Sequence, residues 1–419
     1  MLTVEEHLAR VLATVTPGEP RHVPISAAAG LAVAETVTSK VDLPGFDNSA
    51  MDGYAVRAPG VAGARAADPG SVVTLRVVGE VAAGADATIP VSPGTAVRIM
   101  TGAMMPAGAD AIVRVEDTDG GVDLVQIRQG APAGTSIRAR GEDVRAGEAV
   151  LDVGAVLDAR RVALLAATGH GSVLVRPRPR VAVVSTGSEL VPPGGTLGAG
   201  QIHDSNSYML EALVRECGAE PVRCDPLPDD AATLVAALHG LAEEVDVVVT
   251  SGGVSMGAYD VVKEGFQGRP GAGGDRVEFV QVAMQPGKPQ GFGVLGPRQV
   301  PFFALPGNPV SAYVSFVVFA RPALRRMMGL TPEVPEPLVA TLATALRSPA
   351  RRRQIARAVV RRDAEGLWAD PVWGQASHFI ADLSRANAFV VVPEDVTLVE
   401  AGTPVEVWLL PGAEDRWPT

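Results

Sequence analysis

Cysteine is nearly absent from this chain, and that absence excludes two kinds of site. Only Cys217 and Cys224 occur in 419 residues, and they do not form a CxxC pair. Small disulfide frameworks and structural zinc sites need several closely spaced cysteines, so neither is expected. Two isolated thiols fit a reducing compartment, and we expect a cytoplasmic protein.

The chain also lacks an excess of basic residues and a long apolar run. Its formal net charge is −11, whereas nucleic acids and anionic membranes recruit basic surfaces, so neither partner is expected. Ser311, Ser315 and Arg321 interrupt the apolar stretch 310–323, which is too short to cross a bilayer and predicts a buried helix. The acidic, helix-patterned start MLTVEEHLARVLATV is unlike a secretion signal.

Sequence patterns divide the chain into four regions. Thr3 and Glu6 form a capping-box pattern that predicts an amino-terminal helix. Short apolar runs separated by Gly and Pro predict a β-rich unit. The regions are a connecting domain (1–44 and 141–175), a β-rich domain (45–140), an α/β domain (176–330) and a carboxy-terminal β-barrel (331–419), whose sequence shows only strand-like runs.

Strands and helices alternate from Val181 onwards, with helices expected over 205–217 and 230–241. The strands are almost wholly apolar, which predicts a parallel sheet with both faces covered. Four loops follow strands of this sheet: TGSEL, SGGVSMGAYD, QPGKP and LPGNP. Ligands of open α/β sheets bind beyond the carboxyl ends of strands, so we expect these loops to converge.

Several residues in these loops have side chains suited to an anionic ligand and a hard cation. SGGVSMG offers closely spaced backbone N–H groups for phosphate, or is a plain glycine turn. Glu189, Asp229 and Asp260 are oxygen ligands of the kind Mg²⁺ prefers, although Asp229 or Asp230 equally fits a helix cap.

Few positively charged residues lie in or near these loops. Lys288 either aims an ammonium at phosphate or an oxyanion, or is a solvated surface lysine. The arginines at 351–353 and Arg357 form either an oxyanion cluster or the charged edge of a strand, and the edge reading is favoured for most of them. No HxxxH or HExxH spacing occurs, so a zinc hydrolase is not expected, and His203, His239 and His378 are expected to be structural.

Eight motifs, in order along the chain, resemble the molybdopterin molybdotransferases, a family that includes the E domain of gephyrin. They are DLPGFDNSAMDGYAVRA (42–58), VRIMTGAMMPAGADAIVRVED (97–117), GEDV (141–144), VVSTGSELV (183–191), QIHDSNSYML (201–210), TSGGVSMGAYD (250–260), QPGKP (285–289) and LPGNPVS (305–311). The resemblance spans essentially the whole chain.

This resemblance implies a fold and a reaction. The implied fold is multidomain α/β plus β: a molybdopterin-binding α/β/α sandwich, a projecting β-rich domain and a carboxy-terminal β-barrel, assembled as an elongated homodimer. The implied reaction inserts molybdate into adenylylated molybdopterin, releases AMP, forms molybdenum cofactor and requires a divalent cation, Mg²⁺. The adenylylating enzyme and acceptor molybdoenzymes are the further partners implied.

The resemblance also implies roles for individual residues. Those around the metal and nucleotide phosphates are Asp52, Thr101, Asp143, Glu189, Asp229 and Asp260, with Asp52, Glu189, Asp229 and Asp260 as metal ligands. Those at the pterin and molybdate are Ser251, Gly252, Gly253, Ser255, Gln285, Lys288, Pro306, Pro309, Ser311, Arg357 and Ser377. Asp52, Thr101 and Asp143 lie in the amino-terminal half of the chain. The cleft is therefore expected to combine that half of one subunit with the α/β domain of the other.

The sequence departs from the family pattern at Gln285. The family's loop reads Lys-Pro-Gly-Lys-Pro, whereas this chain has a neutral amide at the first position, which lowers the expected molybdate affinity or alters the oxyanion preference. ASHFIADL (376–383) also differs from the Ser-rich pattern expected there. Two alternatives stay open. One is the preceding adenylylation of molybdopterin, because the α/β unit also resembles the separate adenylylating proteins, and the other is a scaffold protein with a degenerate site marked by Gln285.

Overall fold

The computed structural model describes residues 1–254, 261–266, 274–331, 333–334, 336–372 and 374–410. Its α-helices are α1 Val4–Thr14, α2 Ala58–Val61, α3 Ala159–Ala167, α4 Asn206–Glu216, α5 Ala231–Glu244, α6 Val261–Phe266, α7 Pro309–Ser315, α8 Arg321–Met327 and α9 Ile380–Arg385. Its strands are β1 Arg21–Pro24, β2 Val37–Thr38, β3 Asn48–Ser49, β4 Gly53–Val56, β5 Val73–Val81, β6 Thr95–Ile99, β7 Ala111–Arg114, β8 Leu124–Ile127, β9 Ile137–Arg138, β10 Ala149–Leu151, β11 Ser172–Val175, β12 Arg180–Ser185, β13 Leu190–Val191, β14 Ile202–His203, β15 Glu220–Arg223, β16 Val247–Ser251, β17 Arg276–Gln281, β18 Met284–Gln285, β19 Pro289–Leu295, β20 Val300–Leu305, β21 Leu338–Leu342, β22 Leu346–Arg347, β23 Arg353–Asp363, β24 Gly366–Pro371, β25 Ala388–Val392, β26 Leu398–Val399 and β27 Pro404–Leu409.

The chain forms two compact units, and the smaller one contains residues 22–29 and 35–173. Its main sheet has five strands in the order β7-β4-β6-β5-β8. Alternating side chains of these strands, including Tyr54, Val113 and Ile127, are fully or almost fully buried on one face of the sheet. The β-rich region expected from the Gly- and Pro-punctuated sequence is therefore present.

The larger unit contains residues 1–21, 30–34 and 174–419. Its central sheet has six strands in the order β15-β12-β16-β20-β19-β17. The first four strands are parallel, as the alternating pattern predicts. The expectation of a wholly parallel sheet is wrong for β19 and β17, which are antiparallel to their neighbours. Only four residues separate β19 from β20, and a parallel connection needs a crossover of a dozen or more.

Helices α4 and α5 pack on the parallel part of this sheet. The apolar face of α4 buries Leu210, Leu213 and Val214, and α5 buries Leu234 and Leu238. Both helices lie within a few residues of the predicted ranges, because their apolar side chains recur at the three- and four-residue spacing of one helix face.

The carboxy-terminal strands form a closed barrel. Strands β23, β24, β21, β27 and β25 pair in that order, and β25 pairs back with β23 to close the circle. The barrel confirms the expected fold class, and its small core includes Ala356, Val390 and Val407. Helix α9 corrects the expectation of strands alone: its six residues are too few to show a helical period in the sequence.

Local patterns also account for two helical segments of the larger unit. The α1 capping box is present, with the Thr3 hydroxyl accepting from Glu6 N–H and the Glu6 carboxylate accepting from Thr3 N–H. The apolar stretch 310–323 is helical and largely buried, with a π-helical segment at Phe316–Ala320. Across the ranges that the structure describes, no helix combines the length and apolarity that crossing a membrane requires.

Candidate functional site

A cavity of about 770 Å³ lies at the carboxyl ends of β12, β16 and β20 in the larger unit. The described parts of the four loops expected to converge all contribute to its wall. The residues expected from the sequence that line it are Glu189, Asp229, Ser251, Gly252, Gly253, Gln285, Lys288, Pro306, Pro309, Ser311 and Ser377. The α/β fold therefore gathers these positions, which are scattered along the sequence, into one concave surface.

Asn206 connects two of the loops. Its amide nitrogen donates to the Ser251 hydroxyl at 2.7 Å and to the Gly307 carbonyl at 2.6 Å. This residue begins α4, so the helix holds the SGG loop and the LPGNP loop at a fixed separation. Sequence reasoning missed Asn206, although it lies inside the quoted motif QIHDSNSYML.

Asp204 is a second residue that sequence reasoning missed. Its carboxylate is 2% exposed and accepts from the Ser185 hydroxyl at 2.9 Å and from both the N–H and the hydroxyl of Ser207. A buried carboxylate with three donors is well satisfied, and here it ties the end of β12 to the start of α4. His203, expected to be structural, also lines the cavity.

Gly252 lies so close to Thr186 that a side chain at this position would collide with it. Its φ is +106°, and a Cβ at this position would lie 2.6 Å from the Thr186 hydroxyl and 2.7 Å from the Thr186 carbonyl oxygen. Only glycine fits such contacts without displacing its neighbours. The SGG segment is thus packed directly on the TGSEL loop, and its backbone forms part of the cavity wall.

The QPGKP loop is held in place by the buried residue Gln290, which is 2% exposed. The Gln290 amide nitrogen donates to the Gly287 carbonyl at 2.6 Å and to the Ser315 hydroxyl at 2.7 Å. These contacts fasten the loop to the buried helix α7. Lys288 therefore extends from a firmly positioned turn, which supports its interpretation as an aimed ammonium rather than a solvated surface lysine.

Two carboxylates define an acidic part of the cavity. Asp229 and Glu189 are exposed and lie in neighbouring loops, with the Ser188 N–H donating to the Asp229 carboxylate at 2.9 Å. The alternative that Asp229 caps a helix is settled in favour of Asp230, whose carboxylate accepts from Thr233 N–H at the start of α5. Asp229 is consequently available to a ligand.

The described residues do not by themselves form a complete metal site. Within the described ranges, no group of three or more His, Cys, Asp or Glu side chains is close enough to hold a metal ion. Asp260 and Ser255 lie outside the described residues. Glu189 and Asp229 nevertheless fit Mg²⁺, which typically takes one or two carboxylates together with phosphate oxygens and water.

A cationic part of the cavity contains Lys288 and Arg352. The Arg352 guanidinium donates to the Gln285 side-chain oxygen at 3.2 Å. Ser377 also lines the cavity, and its hydroxyl accepts from the Asn308 amide at 3.0 Å. Arg352 was not singled out among the consecutive arginines, because only the fold distinguishes which of them faces the cavity.

Arg357 is not among the cavity-lining residues. Its side chain is 1% exposed, and its guanidinium donates to the backbone carbonyls of Gly374, Ala376 and Phe379. Burial lowers the pKa of Arg357 below its ordinary value. In this geometry Arg357 holds the segment 374–379, which carries Ser377, rather than pointing into the cavity.

The smaller unit brings Asp52 and Thr101 together. The Asp52 carboxylate accepts from the Thr101 N–H at 2.7 Å and from its hydroxyl at 2.8 Å. These hydrogen bonds lower the pKa of Asp52 below its ordinary value, with a smaller contribution from the charge of Arg98. Asp143 is exposed, and its N–H donates to the Leu43 carbonyl at 3.0 Å.

Comparison with known proteins supports one family along the whole chain. Residues 2–169 match the MoeA N-terminal region (domain I and II), residues 182–326 match the probable molybdopterin binding domain, and residues 339–410 match the MoeA C-terminal region (domain IV).

Individual relatives extend this result. The chain is 47% identical over 97% of its length to molybdopterin molybdenumtransferase 2 of Mycobacterium tuberculosis, of which it covers 99%. It is 38% identical to molybdopterin molybdenumtransferase 1 of the same organism, over 98% of this chain and 99% of that protein. A crystal structure of a molybdopterin biosynthesis MoeA protein from Pyrococcus horikoshii matches with a TM-score of 0.82 and 33% identity, over 98% of this chain and 99% of that one. These matches confirm the resemblance seen in the motifs, and the chain belongs to the MoeA family.

Proposed function

We propose that this protein is a molybdopterin molybdenumtransferase that inserts molybdate into adenylylated molybdopterin and releases AMP. The observation that carries the proposal is a single cavity with carboxylates in one part and cations in another. The reaction uses two anionic substrates: adenylylated molybdopterin, whose phosphoanhydride is cleaved with the help of a divalent cation, and molybdate, an oxyanion that requires positive charge. The mycobacterial relatives named molybdopterin molybdenumtransferase, at up to 47% identity, support the same conclusion.

The glycine-rich wall binds the substrate's phosphate groups and pterin. At Gly252 and Gly253 no side chain covers the backbone, so N–H groups approach a phosphate closely. The hydroxyl of Ser251 is held by the Asn206 amide, which keeps this wall in place before substrate arrives. A preorganised wall loses less conformational entropy on binding than a mobile loop.

The acidic part of the cavity binds Mg²⁺. Glu189 and Asp229 would hold the ion together with phosphate oxygens of the substrate. When bound, Mg²⁺ neutralises the pyrophosphate and polarises the bond that is cleaved. The hydrogen bond from Ser188 N–H fixes one oxygen of Asp229 and leaves its other oxygen for the ion.

The cationic part of the cavity binds molybdate. Lys288 supplies positive charge, and the hydroxyls of Ser311 and Ser377 supply hydrogen bonds to its oxygens. An oxygen of water or molybdate attacks the adenylyl phosphorus, the P–O bond to the pterin phosphate breaks, and AMP leaves carrying the new oxygen. The two dithiolene sulfurs then bond to molybdenum and displace one molybdate oxygen, which leaves as water with two protons and with no change in oxidation state. Both substrates are thus proposed to occupy one cavity, which has a volume of about 770 Å³.

The reaction is assigned to the cytoplasm. Cys217 is buried, Cys224 is half-buried, and both are free thiols. Unpaired thiols persist where glutathione and thioredoxin maintain reducing conditions.

The active assembly is proposed to be a homodimer in which Asp52, Thr101 and Asp143 of one subunit complete the cavity of the other. Asp52 is exposed and held ionised by Thr101, as expected of a carboxylate that meets a metal or phosphate on a second molecule.

The test of this shared site mixes two inactive variants, Asp52→Asn and Glu189→Gln. Random dimers of the two regain about a quarter of wild-type activity if the site is shared. Mixtures as inactive as each parent would show that the residues act within one subunit.

Single-turnover release of AMP from adenylylated molybdopterin tests the reaction itself. Release that requires both molybdate and Mg²⁺ is expected from the wild-type protein, and Asp229→Asn should reduce it while preserving the fold. Release that is independent of molybdate would contradict the transferase assignment, and consumption of ATP with unmodified molybdopterin would instead indicate the preceding adenylylation step.

A further inference from the structure

We propose that Asn206 is a positioning residue that commits the Ser251 hydroxyl to donate its hydrogen to a phosphate oxygen of the substrate. The inference rests on the proposed function, because it concerns the glycine-rich wall of the same cavity. The observation behind it is that Ser251 accepts a hydrogen bond from the Asn206 amide at 2.7 Å, while its own hydroxyl hydrogen has no acceptor among the residues that the structure describes.

The orientation of the Asn206 amide follows from its two contacts. The same amide atom lies 2.7 Å from the Ser251 hydroxyl oxygen and 2.6 Å from the Gly307 carbonyl oxygen. A carbonyl oxygen only accepts hydrogen bonds, so this atom is the nitrogen, and its two hydrogens serve the two contacts. The Asn206 side-chain oxygen is buried and has no partner in the described part of the chain. Because such orphaned acceptors are rare in folded proteins, the two donated bonds decide the orientation of the amide.

The Ser251 hydroxyl is left with one hydrogen to donate. A serine hydroxyl carries one donor and two acceptor lone pairs, and the Asn206 amide occupies one lone pair. The Ser251 side chain lies in a residue that is 2% exposed, so bulk water competes little for the hydrogen. Ser251 also lines the cavity. A ligand oxygen in the cavity is therefore the acceptor that completes the hydroxyl, and an anionic oxygen forms the stronger hydrogen bond.

Strand register places this hydroxyl beside the glycine-rich wall. Ser251 is the last residue of β16 and lies opposite Ser185 of β12 on one side and Leu305 of β20 on the other. It therefore stands between the TGSEL and LPGNP loops, which follow those two strands. Gly252 and Gly253 come directly after it and line the cavity. The hydroxyl and the uncovered backbone N–H groups thus approach the same phosphate.

Binding of ADP in the presence of Mg²⁺ tests the proposal, because ADP carries a phosphoanhydride on adenosine and needs no turnover to bind. Calorimetry compares the wild type with Ser251→Ala, Asn206→Asp and the double variant. Ser251→Ala should weaken ADP binding by about tenfold or more, the loss expected for a hydrogen bond to a charged group. In Asn206→Asp the new carboxylate has the shape of the amide but accepts the Ser251 hydrogen itself. ADP binding should therefore weaken, and Ser251→Ala should add less than about twofold in that background.

Asn206→Ala removes the amide without adding a charge, and its loss of ADP affinity should be less than additive with that of Ser251→Ala. Ser207→Ala is the matched control, because it removes a buried hydroxyl from the same turn of α4 that donates to Asp204. It should change ADP affinity by less than about twofold. Losses that add fully in both double variants would overturn the proposal, as would unchanged ADP binding in folded Ser251→Ala or an equal loss in Ser207→Ala.

Molybdate binding, measured by equilibrium dialysis, separates the phosphate from the other oxyanion. Ser251→Ala should leave molybdate affinity within about twofold of the wild type. Weaker molybdate binding with unchanged ADP binding would assign the hydroxyl to molybdate and overturn the proposal, and absence of ADP binding by the wild type would count against the phosphate subsite itself. Molybdate-dependent AMP release by the wild type is measured separately, so a failure of the proposed reaction is distinguished from a failure of Asn206 to position Ser251.

Discussion

Replacing Arg357 with methionine is expected to loosen the segment 374–379, which carries Ser377. Methionine preserves most of the side-chain volume and removes the guanidinium. The backbone carbonyls of Gly374, Ala376 and Phe379 then lose the hydrogen bonds that the guanidinium donates. The segment keeps the hydrogen bond from Val310 N–H to the Ser377 carbonyl and that from the Asn308 amide to the Ser377 hydroxyl, so the substitution loosens it without releasing it.

The size of the effect follows from these contacts. A hydrogen bond from a charged donor contributes about 1.5–3 kcal/mol, so three carbonyl acceptors give about 5–9 kcal/mol before any cost is counted. Burying a guanidinium with no ion-paired carboxylate costs several kcal/mol in return, consistent with the lowered pKa of Arg357. The net loss on substitution is therefore about 3 kcal/mol in the free energy of local opening.

Hydrogen exchange measures that free energy at the segment itself. A loss of about 3 kcal/mol increases amide exchange in the segment 374–379 by roughly a hundredfold. Arg361→Met is the control, since Arg361 is an exposed arginine on the same strand and pairs only at the surface with Asp363 and Trp368. Exchange in Arg357→Met that stays within about threefold of the wild type would refute the positioning role.

Three further predictions concern pH, thiol reactivity and backbone strain. Burial, with a smaller effect of the nearby Arg10, lowers the pKa of His7 to about 4, so the neutral ring favours the folded state. Stability should fall by up to about 3 kcal/mol between pH 6.5 and 4, and His7→Leu should remove that dependence in acid titrations followed by fluorescence. Burial raises the pKa of Cys217 to about 11, so iodoacetamide at pH 8 should label the half-buried Cys224 and leave Cys217 unmodified until unfolding; equal labelling, read by mass spectrometry, would contradict this. Gly252→Ala should lower thermal stability and weaken substrate binding more than tenfold, because its Cβ meets Thr186; a variant with normal binding would show that the loop adapts freely.

Local patterns in the sequence predicted the elements whose determinants lie close together in the chain. The capping box of Thr3 and Glu6 identified α1, and the apolar spacing identified α4 and α5. The carboxyl ends of the strands predicted where the loops meet. The sequence did not predict the reversal of β19, because direction depends on which neighbour a strand pairs with and not on its own residues.

The sequence predicts that a residue lines the cavity when the residue belongs to a recognisable motif. It does not predict this when contacts with distant parts of the chain determine the residue's environment. Gln285 and Lys288 belong to one turn, and both line the cavity. Arg352 directly precedes β23 and Arg357 lies on it, so their different environments depend on the pairing of β23 with β18 and on the carbonyls of the segment 374–379. Those partners lie far away or in an irregular segment, where no periodic pattern reveals them.

The central claim is that phosphoanhydride cleavage and molybdenum transfer occur together in this cavity. X-ray absorption at the molybdenum edge, recorded on one sample in which AMP is also quantified after a single turnover, tests that claim most directly. The account predicts that molybdenum–sulfur scattering increases in proportion to AMP, and that Lys288→Gln lowers both at limiting molybdate. Full release of AMP with molybdenum still bound only to oxygen would contradict it.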